Sequence, residues 1–426
     1  METYDVIVLG GGLSGICCCA ELQAKEVECL LIEKEAKLGG LTRTRMPKGF
    51  VFDCHGGHIF NTKNERVRDW VFSFLPERKW QHSVRLAKIW YGNKLISYPF
   101  EFALGQLDAG EATECIMGMF ERSGKEPKVF GEWLKWNFGV PIAEKYLLPY
   151  NRKIWKRDLS KISTHWVSGK MPIPEVKDVI YAALSGDDSE KKMVHSSYYY
   201  PKRGGIEGFT GCIISKLKNV MLNSPLMNIE KQRGMWIVNG SVRAKKLVST
   251  IPVPELTECI NRVPDKVRSS ISRLEWNSIT TVLCEQKKGE NISWLYLPGD
   301  DLPSHRIVYQ GRFARSNCPK GKFSACYEIT GKQSPEKMLR PFRNPNLPCE
   351  LKAFEVIDYE HTEYAYPVYH LDFPKDIKVI QSWLKKTGIL SIGRFAEWKY
   401  LNMDDCIGGA LAVCDVLSNH RRKGKS

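Results

Sequence analysis

The sequence predicts an α/β fold of the Rossmann-like kind, discontinuous along the chain and interrupted by a mostly helical insertion and by an antiparallel sheet. Three observations predict it. A β-branched run ending at Leu9 stops at Gly10-Gly11-Gly12-Leu13-Ser14-Gly15. It then opens into a helix-compatible stretch, 16–24, and a second apolar run, 29–32, that ends at Glu33. From about residue 63 to 200 the apolar spacing is helical, and from about 275 to 370 it alternates as strands do. Ile389-Leu390-Ser391-Ile392-Gly393 and a helical run over 406–417 then return the chain to its opening pattern.

Each glycine of the G-x-G-x-x-G spacing has a separate task. Gly10 allows the tight turn, Gly12 leaves out a Cβ so that backbone N–H groups reach a pyrophosphate, and Gly15 lets the helix lie close on the strand. Leu13 and Ser14 open that helix. Glu33 stands where a carboxylate accepts the ribose hydroxyls of an adenosine half, with Lys34 beside it. A second pair, Gly39-Gly40, follows with Leu41, Thr42 and Arg43. Together these stretches resemble the extended fingerprint of the flavoprotein superfamily that includes amine oxidases, protoporphyrinogen oxidase and UDP-galactopyranose mutase. The resemblance implies FAD as cofactor, with Gly39, Gly40, Leu41 and Thr42 lying against it.

A chain of 426 residues is too long for one compact core. The expected division is a first FAD-binding segment at 1–80, a mostly helical substrate lobe at 81–200 and a second FAD-binding segment at 201–275. An antiparallel-sheet substrate domain follows at 276–385, then a third FAD-binding segment at 386–418 and a basic tail at 419–426.

Hydrophobic residues make up 43% and charged residues 26%, a balance that points to an ordinary globular protein. Glu2 and Asp5 precede the first apolar run and glycines interrupt it, so it does not read as a secretory signal, and no apolar stretch has the length of a bilayer span. A cytoplasmic location is expected. The 14 cysteines contain no C-x-x-C pair and three are adjacent at Cys17, Cys18 and Cys19, which reads as buried thiols rather than a metal site or disulfide framework. A net charge of +15 suits an anionic partner, either a phosphorylated small substrate or, by peripheral contact, an anionic membrane surface. Nucleic-acid-binding motifs are lacking. The cluster Arg421-Arg422-Lys423-Lys425 reads as a disordered tail, and the oligomeric state stays open, a homo-oligomer included.

The stretch from Phe52 through His55-Gly56-Gly57-His58 to Thr62 suits a strand entering a tight loop, where a side chain approaches a planar ligand. It resembles the Gly-Pro-His-Ile-Phe-His-Thr segment of the mutases, whose first histidine sits near the flavin. His58 takes that place, while Gly57 replaces the proline and Asn61 the second histidine. Helices are expected over 65–75, 101–107, 111–124, 130–137 and 144–148, with a hairpin over 86–99 about Tyr91-Gly92-Asn93-Lys94. Tyr150, Lys153 and Trp155, then His165 to Lys170, form an aromatic and cationic cluster. It suits either base stacking with phosphate neutralisation or a plain amphipathic helix end. Its Tyr-x-x-Lys-x-Trp order is similar to the mutase signature whose tryptophan packs on uracil.

Tyr198-Tyr199-Tyr200-Pro201 precedes a glycine-rich turn, and Tyr198 either donates to a phosphate or packs. A helix over 209–217 and strands over 220–226, 236–239 and 247–252 rejoin the cofactor domain. Strands over 279–284, 294–297, 306–310, 322–329 and 354–359 build the second sheet. There Arg306 stands in the place of a mutase arginine on the substrate diphosphate, and Tyr366 in that of a phosphate-site tyrosine. Gly393, Arg394, Tyr400, Met403 and Asp404 are similar to the C-terminal mutase pattern, in which a helix N-terminus faces the reduced flavin. The chain departs from the pattern at Lys399 and Lys170, each an arginine in mutases, and at Asn402, an aspartate there.

The resemblance therefore implies an FAD-dependent UDP-sugar mutase interconverting pyranose and furanose forms of a UDP-hexose, UDP-galactose foremost, through a covalent adduct at N5 of the reduced flavin. Arg306, Lys170 and His58 are its catalytic candidates; Tyr150, Trp155, Lys170, Tyr198, Arg306, Tyr366 and Tyr400 would bind the substrate, and no metal is implied. Two other readings stay open: a flavin oxidase or desaturase of the amine oxidase or protoporphyrinogen oxidase type, and a flavin-containing binding protein without turnover.

Overall fold

The computed structural model describes residues 1–187, 196–289 and 291–423. Its first sheet is assembled from distant parts of the chain. Glu2–Leu9 lies between Cys29–Ile32 and Val242–Ser249 and pairs with both in parallel. Val220–Met221 extends the sheet beyond Cys29–Ile32. On the other side, Val242–Ser249 holds Ile389–Ser391 in parallel and Met235–Val238 antiparallel, with Ile229–Gln232 outermost. Parallel strands covered on both faces need unbroken apolar runs; all of Val6 to Leu9 and of Cys29–Ile32 is buried.

The helix Leu13–Ala24 follows the first strand and packs between the sheet and the last helix, Met403–Lys423. This sandwich explains three consecutive buried cysteines, which no helix could turn toward a single neighbour. Cys19 Sγ lies 3.3 Å from Cys29 Sγ on the sheet side, while Cys18 Sγ lies 3.7 Å from Cys414 Sγ on the last helix. The last helix runs past the expected end at 417 as far as Lys423, shortening the expected tail; residues 424–426 lie outside the described residues.

The second sheet runs in the order Val356–Val368, Glu275–Gln286, Phe323–Thr330, Arg306–Val308, Trp294–Tyr296, Ala87–Tyr91, Lys94–Ser97. Every neighbouring pair is antiparallel except Trp294–Tyr296 with Ala87–Tyr91, which is parallel. The hairpin expected within the helical insertion thus forms the edge of this sheet. Its turn, Gly92-Asn93, has positive φ at both residues, the tight hairpin turn that matches strand twist.

In the insertion, 101–107 forms two short 3₁₀ turns, Phe100–Phe102 and Leu104–Gln106, instead of one helix. Gly105 is pressed so close to the Val176–Ser185 helix that a Cβ there would lie 2.5 Å from the Ala183 carbonyl oxygen. A longer helical path than expected runs from Val140 to Trp155. It widens into a π turn over Ala143–Leu147, just before Pro149, which has no N–H to donate to the preceding turn. The insertion leaves and rejoins through a two-strand ladder, Trp80–Val84 with Ser197–Pro201. Among the described residues no helix is long and apolar enough to cross a membrane.

Candidate active site

Four parallel strands of the first sheet end at one cavity of about 1030 Å³, and the residue past each end lines it: Gly10, Glu33, Thr250 and, one step on, Gly393. Carboxyl ends of parallel strands are where open α/β sheets place their ligands. The glycine stretches interlock here. A Cβ on Gly15 would lie 1.9 Å from the Gly10 carbonyl oxygen, so only glycine lets the helix sit on the strand end. Gly40, with φ +50°, would carry its Cβ 2.9 Å from Gly12 Cα, and Gly39 N donates to the Gly11 carbonyl at 2.8 Å.

Gly12 differs from its neighbours: a Cβ there would meet nothing within 4 Å. It starts the helix Leu13–Ala24 with no side-chain cap and no acid in the first turn, leaving the unpaired N–H groups of that turn open to the cavity. Such a terminus suits a pyrophosphate. Glu33 is held in place as Oε2 accepts from Gly11 N at 2.6 Å and Oε1 from Glu35 N at 2.9 Å. Both oxygens keep a lone pair for a ribose hydroxyl. These features fit a dinucleotide. Every predicted cofactor residue lines the cavity except Gly15 and Gly39, which lie behind its wall.

The second sheet supplies the opposite wall. Arg306 and Glu328 are direct cross-strand partners, so their side chains share a face. Arg306 Nε donates to the fully buried Glu328 carboxylate, and Nη2 donates to the Tyr366 hydroxyl at 3.3 Å. Tyr366 stacks on Tyr400 with ring centroids 5.8 Å apart. Arg394 spends its guanidinium on carbonyls, donating to Leu401 O at 2.6 Å and Ala365 O at 3.2 Å, and so pins the Tyr400 loop to the second sheet. Burial holds the Tyr366 hydroxyl protonated, with its pKa raised to about 12 despite Arg306.

His58 also lines the cavity. Burial, with Arg394 and His55 nearby, pushes its pKa down to about 3, and its Nδ1 is buried without a hydrogen-bond partner. A neutral imidazole with an unused nitrogen on the wall fits a polar atom of a bound flavin. Asp404, at the start of the last helix, is raised above the usual carboxylate range by burial and by Asp405.

Of the residues expected at the substrate, Arg306, Tyr366 and Tyr400 line this cavity and Tyr150, Trp155, Lys170 and Tyr198 do not. Tyr150 stays close: it is half-buried, and the charge of Arg306 acts on its hydroxyl, which burial nonetheless raises well above its ordinary pKa. Lys170 stands at the rim, with Nζ 2.9 Å from Asp405 Oδ2 and 5.9 Å from the centre of the Tyr400 ring. Trp155 corrects the expectation of an indole on the cavity wall. It is 3% exposed, its Nε1 donates to Asn151 Oδ1, and its ring meets Trp166 edge-on. Tyr198 is likewise core, wedged edge-on between Trp294 and Phe313 because inward-facing positions of its strand lie under the second sheet.

Arg43, His55, Thr250 and Thr362 also line the wall; the first three lie in stretches the sequence singled out without giving them a role, and Thr362 was missed. Arg43 and His55 adjoin named residues and were legible by position. His55 is fixed by a 2.7 Å bond from Nδ1 to Thr362 Oγ1, a contact between segments 307 residues apart, and burial lowers its pKa to about 4.

Residues 8–74 match the NAD(P)-binding Rossmann-like domain family. UDP-galactopyranose mutase of Mycoplasma pneumoniae is 28% identical over 234 residues, covering 52% of this chain and 55% of the mutase. The chain spans about half the length of the curated relatives it matches. A crystal structure of reduced UDP-galactopyranose mutase superposes with a TM-score of 0.88 at 20% identity over 98% of this chain and 96% of that one. Putrescine oxidase shares the fold more distantly, with a TM-score of 0.69 at 14% identity over 98% and 99%. In sequence over about half its length and in fold over nearly all of it, this chain is similar to the UDP-galactopyranose mutases.

Proposed function

We propose that this chain is an FAD-dependent UDP-sugar mutase that interconverts pyranose and furanose forms of a UDP-hexose, UDP-galactose foremost. The observation that carries this reading is the presence of Arg306, Tyr366 and Tyr400 on the same cavity as the interlocked glycine stretches. At about 1030 Å³ the cavity stands at the upper end of the roughly 300–1,000 Å³ of small-molecule pockets.

A reduced FAD, which Gly12, Glu33, Gly40 and His58 would hold, would supply an electron-rich nitrogen as the nucleophile toward the anomeric carbon. The chain's own residues orient and stabilise. Arg306 meets the charge that develops on the leaving diphosphate, and the Tyr366 and Tyr400 hydroxyls donate to its oxygens. Tyr150, beside Arg306, offers a ring to the base, while Trp155 stays within the core. His58, neutral, accepts or donates one hydrogen bond at the flavin. Lys170 exchanges Asp405 for a phosphate oxygen. No protein nucleophile is required.

A second reading, an oxidase of the amine oxidase type, draws on one observation: both proposed phosphate cations are already paired with carboxylates, Arg306 with Glu328 and Lys170 with Asp405. Incubating dithionite-reduced protein with UDP-galactopyranose separates the two. The mutase reading expects UDP-galactofuranose; peroxide from an amine or porphyrinogen, with no ring contraction, would replace it with the oxidase.

A further inference from the structure

We infer that the outer face of the helices Asp265–Ser272 and Phe373–Thr387 docks on an anionic lipid membrane. The helices pack side by side, and their apolar positions, Val267 and Ile271 on one and Ile377, Ile380 and Leu384 on the other, are buried. What remains toward solvent is mostly cationic, with Asp265 the one exposed acid of the two helices and Asp372 just before the second. On Phe373–Thr387 the exposed residues include Lys375, Lys378, Lys385 and Lys386, a stripe roughly 16 Å long at the helical rise. Beyond Asp376 this helix carries no acid. Asp376 itself is 3% exposed and accepts from Arg273 Nε at 2.8 Å. Lys266 and Arg268 extend the stripe onto the neighbouring helix, both exposed. Among the described residues Lys266, Lys378, Lys385 and Lys386 form no ion pair, so their charge is unspent.

An open cleft of about 490 Å³ between the helices is lined by Lys266, Arg273 and Lys375 and also by Asp372 and Asp376. Its charges are mostly matched internally: Arg273 with Asp376, and Lys375 with Asp372 at 2.8 Å. The cleft is therefore no pocket for a discrete anion. Unmatched charge lies along the stripe, which suits an extended anionic surface. A lipid leaflet fits better than a nucleic acid. The stripe is mostly lysine, which lacks the planar fork that grips single phosphates, and the one aromatic ring of the two helices that reaches solvent, Trp383, is half-buried against the core. Leu371, 50% exposed just before the second helix, adds an apolar contact that lipid accepts.

This surface is independent of the mutase reading. Its test is co-sedimentation of the flavin-loaded full chain with phosphatidylcholine vesicles, with and without phosphatidylserine. Binding is expected only with phosphatidylserine and should fall steeply with added salt. The variant K378E/K385E/K386E should bind at least about tenfold more weakly, with its flavin spectrum and melting temperature unchanged. K320E/K332E/K337E, the same charge change on exposed lysines of the other sheet unit, should bind as wild type. Equal loss in both variants, indifference to phosphatidylserine, or tighter binding to duplex RNA than to vesicles at equal salt would each overturn the proposal.

Discussion

Lys170 Nζ lies 2.9 Å from Asp405 Oδ2, joining the segment after the aromatic cluster to the first turn of the last helix. Both side chains are partly exposed, at 21% and 38%, so the pair is weak. If Lys170 serves the diphosphate it must leave Asp405 first. Asp405→Asn is then expected to tighten UDP binding by about two- to fivefold, the worth of a surface ion pair. Lys170→Ala should weaken it with flavin content unchanged. Isothermal titration with UDP measures both.

Arg306 is the partner of a carboxylate with no exposure at all. Arg306→Ala leaves that carboxylate buried with only His305 Nε2, 3.7 Å away, beside it, which costs about 3–5 kcal/mol, so the single variant confounds stability with binding. The double variant Arg306→Ala/Glu328→Gln removes the stranded charge. Thermal melts should show most of the lost stability restored, while UDP affinity stays low. Restored affinity in the double variant would exclude Arg306 from the diphosphate site.

Gly12 and Gly15 belong to one motif but face different neighbours. Gly15→Ala drives a Cβ to 1.9 Å from a backbone oxygen and should cost about 1–3 kcal/mol or more in the apo-protein. Gly12→Ala meets only the open cavity and has an ordinary φ of −72°, so the apo-protein should melt within about 0.5 kcal/mol of wild type. Flavin retention after gel filtration should nevertheless fall sharply if, as proposed, the pyrophosphate takes the space that the Cβ would occupy.

His58 ties stability to pH. Its pKa is about 3 in the folded chain and roughly 6.5 when unfolded, so below about pH 6.5 only the unfolded chain takes up the proton. The stability it contributes is complete above that pH and is lost as pH falls toward 3. Arg394, Arg306 and His55 all face it and oppose its charging. Melting curves of the apo-protein should show wild type losing ground to His58→Asn between about pH 7 and pH 5. Parallel curves would mean that the imidazole charges freely where it stands.

Much of the cavity wall was legible because its requirements are local. A positive φ, a missing Cβ or an uncapped helix start is written in two or three adjacent residues, as at Gly40 and Gly12. Aromatic positions were harder. Trp155 and Tyr150 sit five residues apart on one helix, and the sequence does not say which of two apolar surroundings each will meet; the core took the indole. The parallel pairing of Ala87–Tyr91 with Trp294–Tyr296 joins segments about 200 residues apart and left no local trace, so the hairpin was expected but its place at the edge of the second sheet was not. The counterions Glu328 and Asp405 were invisible for the same reason, although they decide how much charge Arg306 and Lys170 have free.

The central claim is that one cavity takes a flavin dinucleotide and a uridine diphosphate side by side. Titrating UDP into the flavin-loaded protein while recording the visible flavin spectrum tests it most directly. A saturable spectral change with one UDP per chain, absent in Arg306→Ala/Glu328→Gln, is the predicted result. Failure of UDP to bind the flavin-loaded protein, with an amine perturbing the flavin in its place, would contradict it.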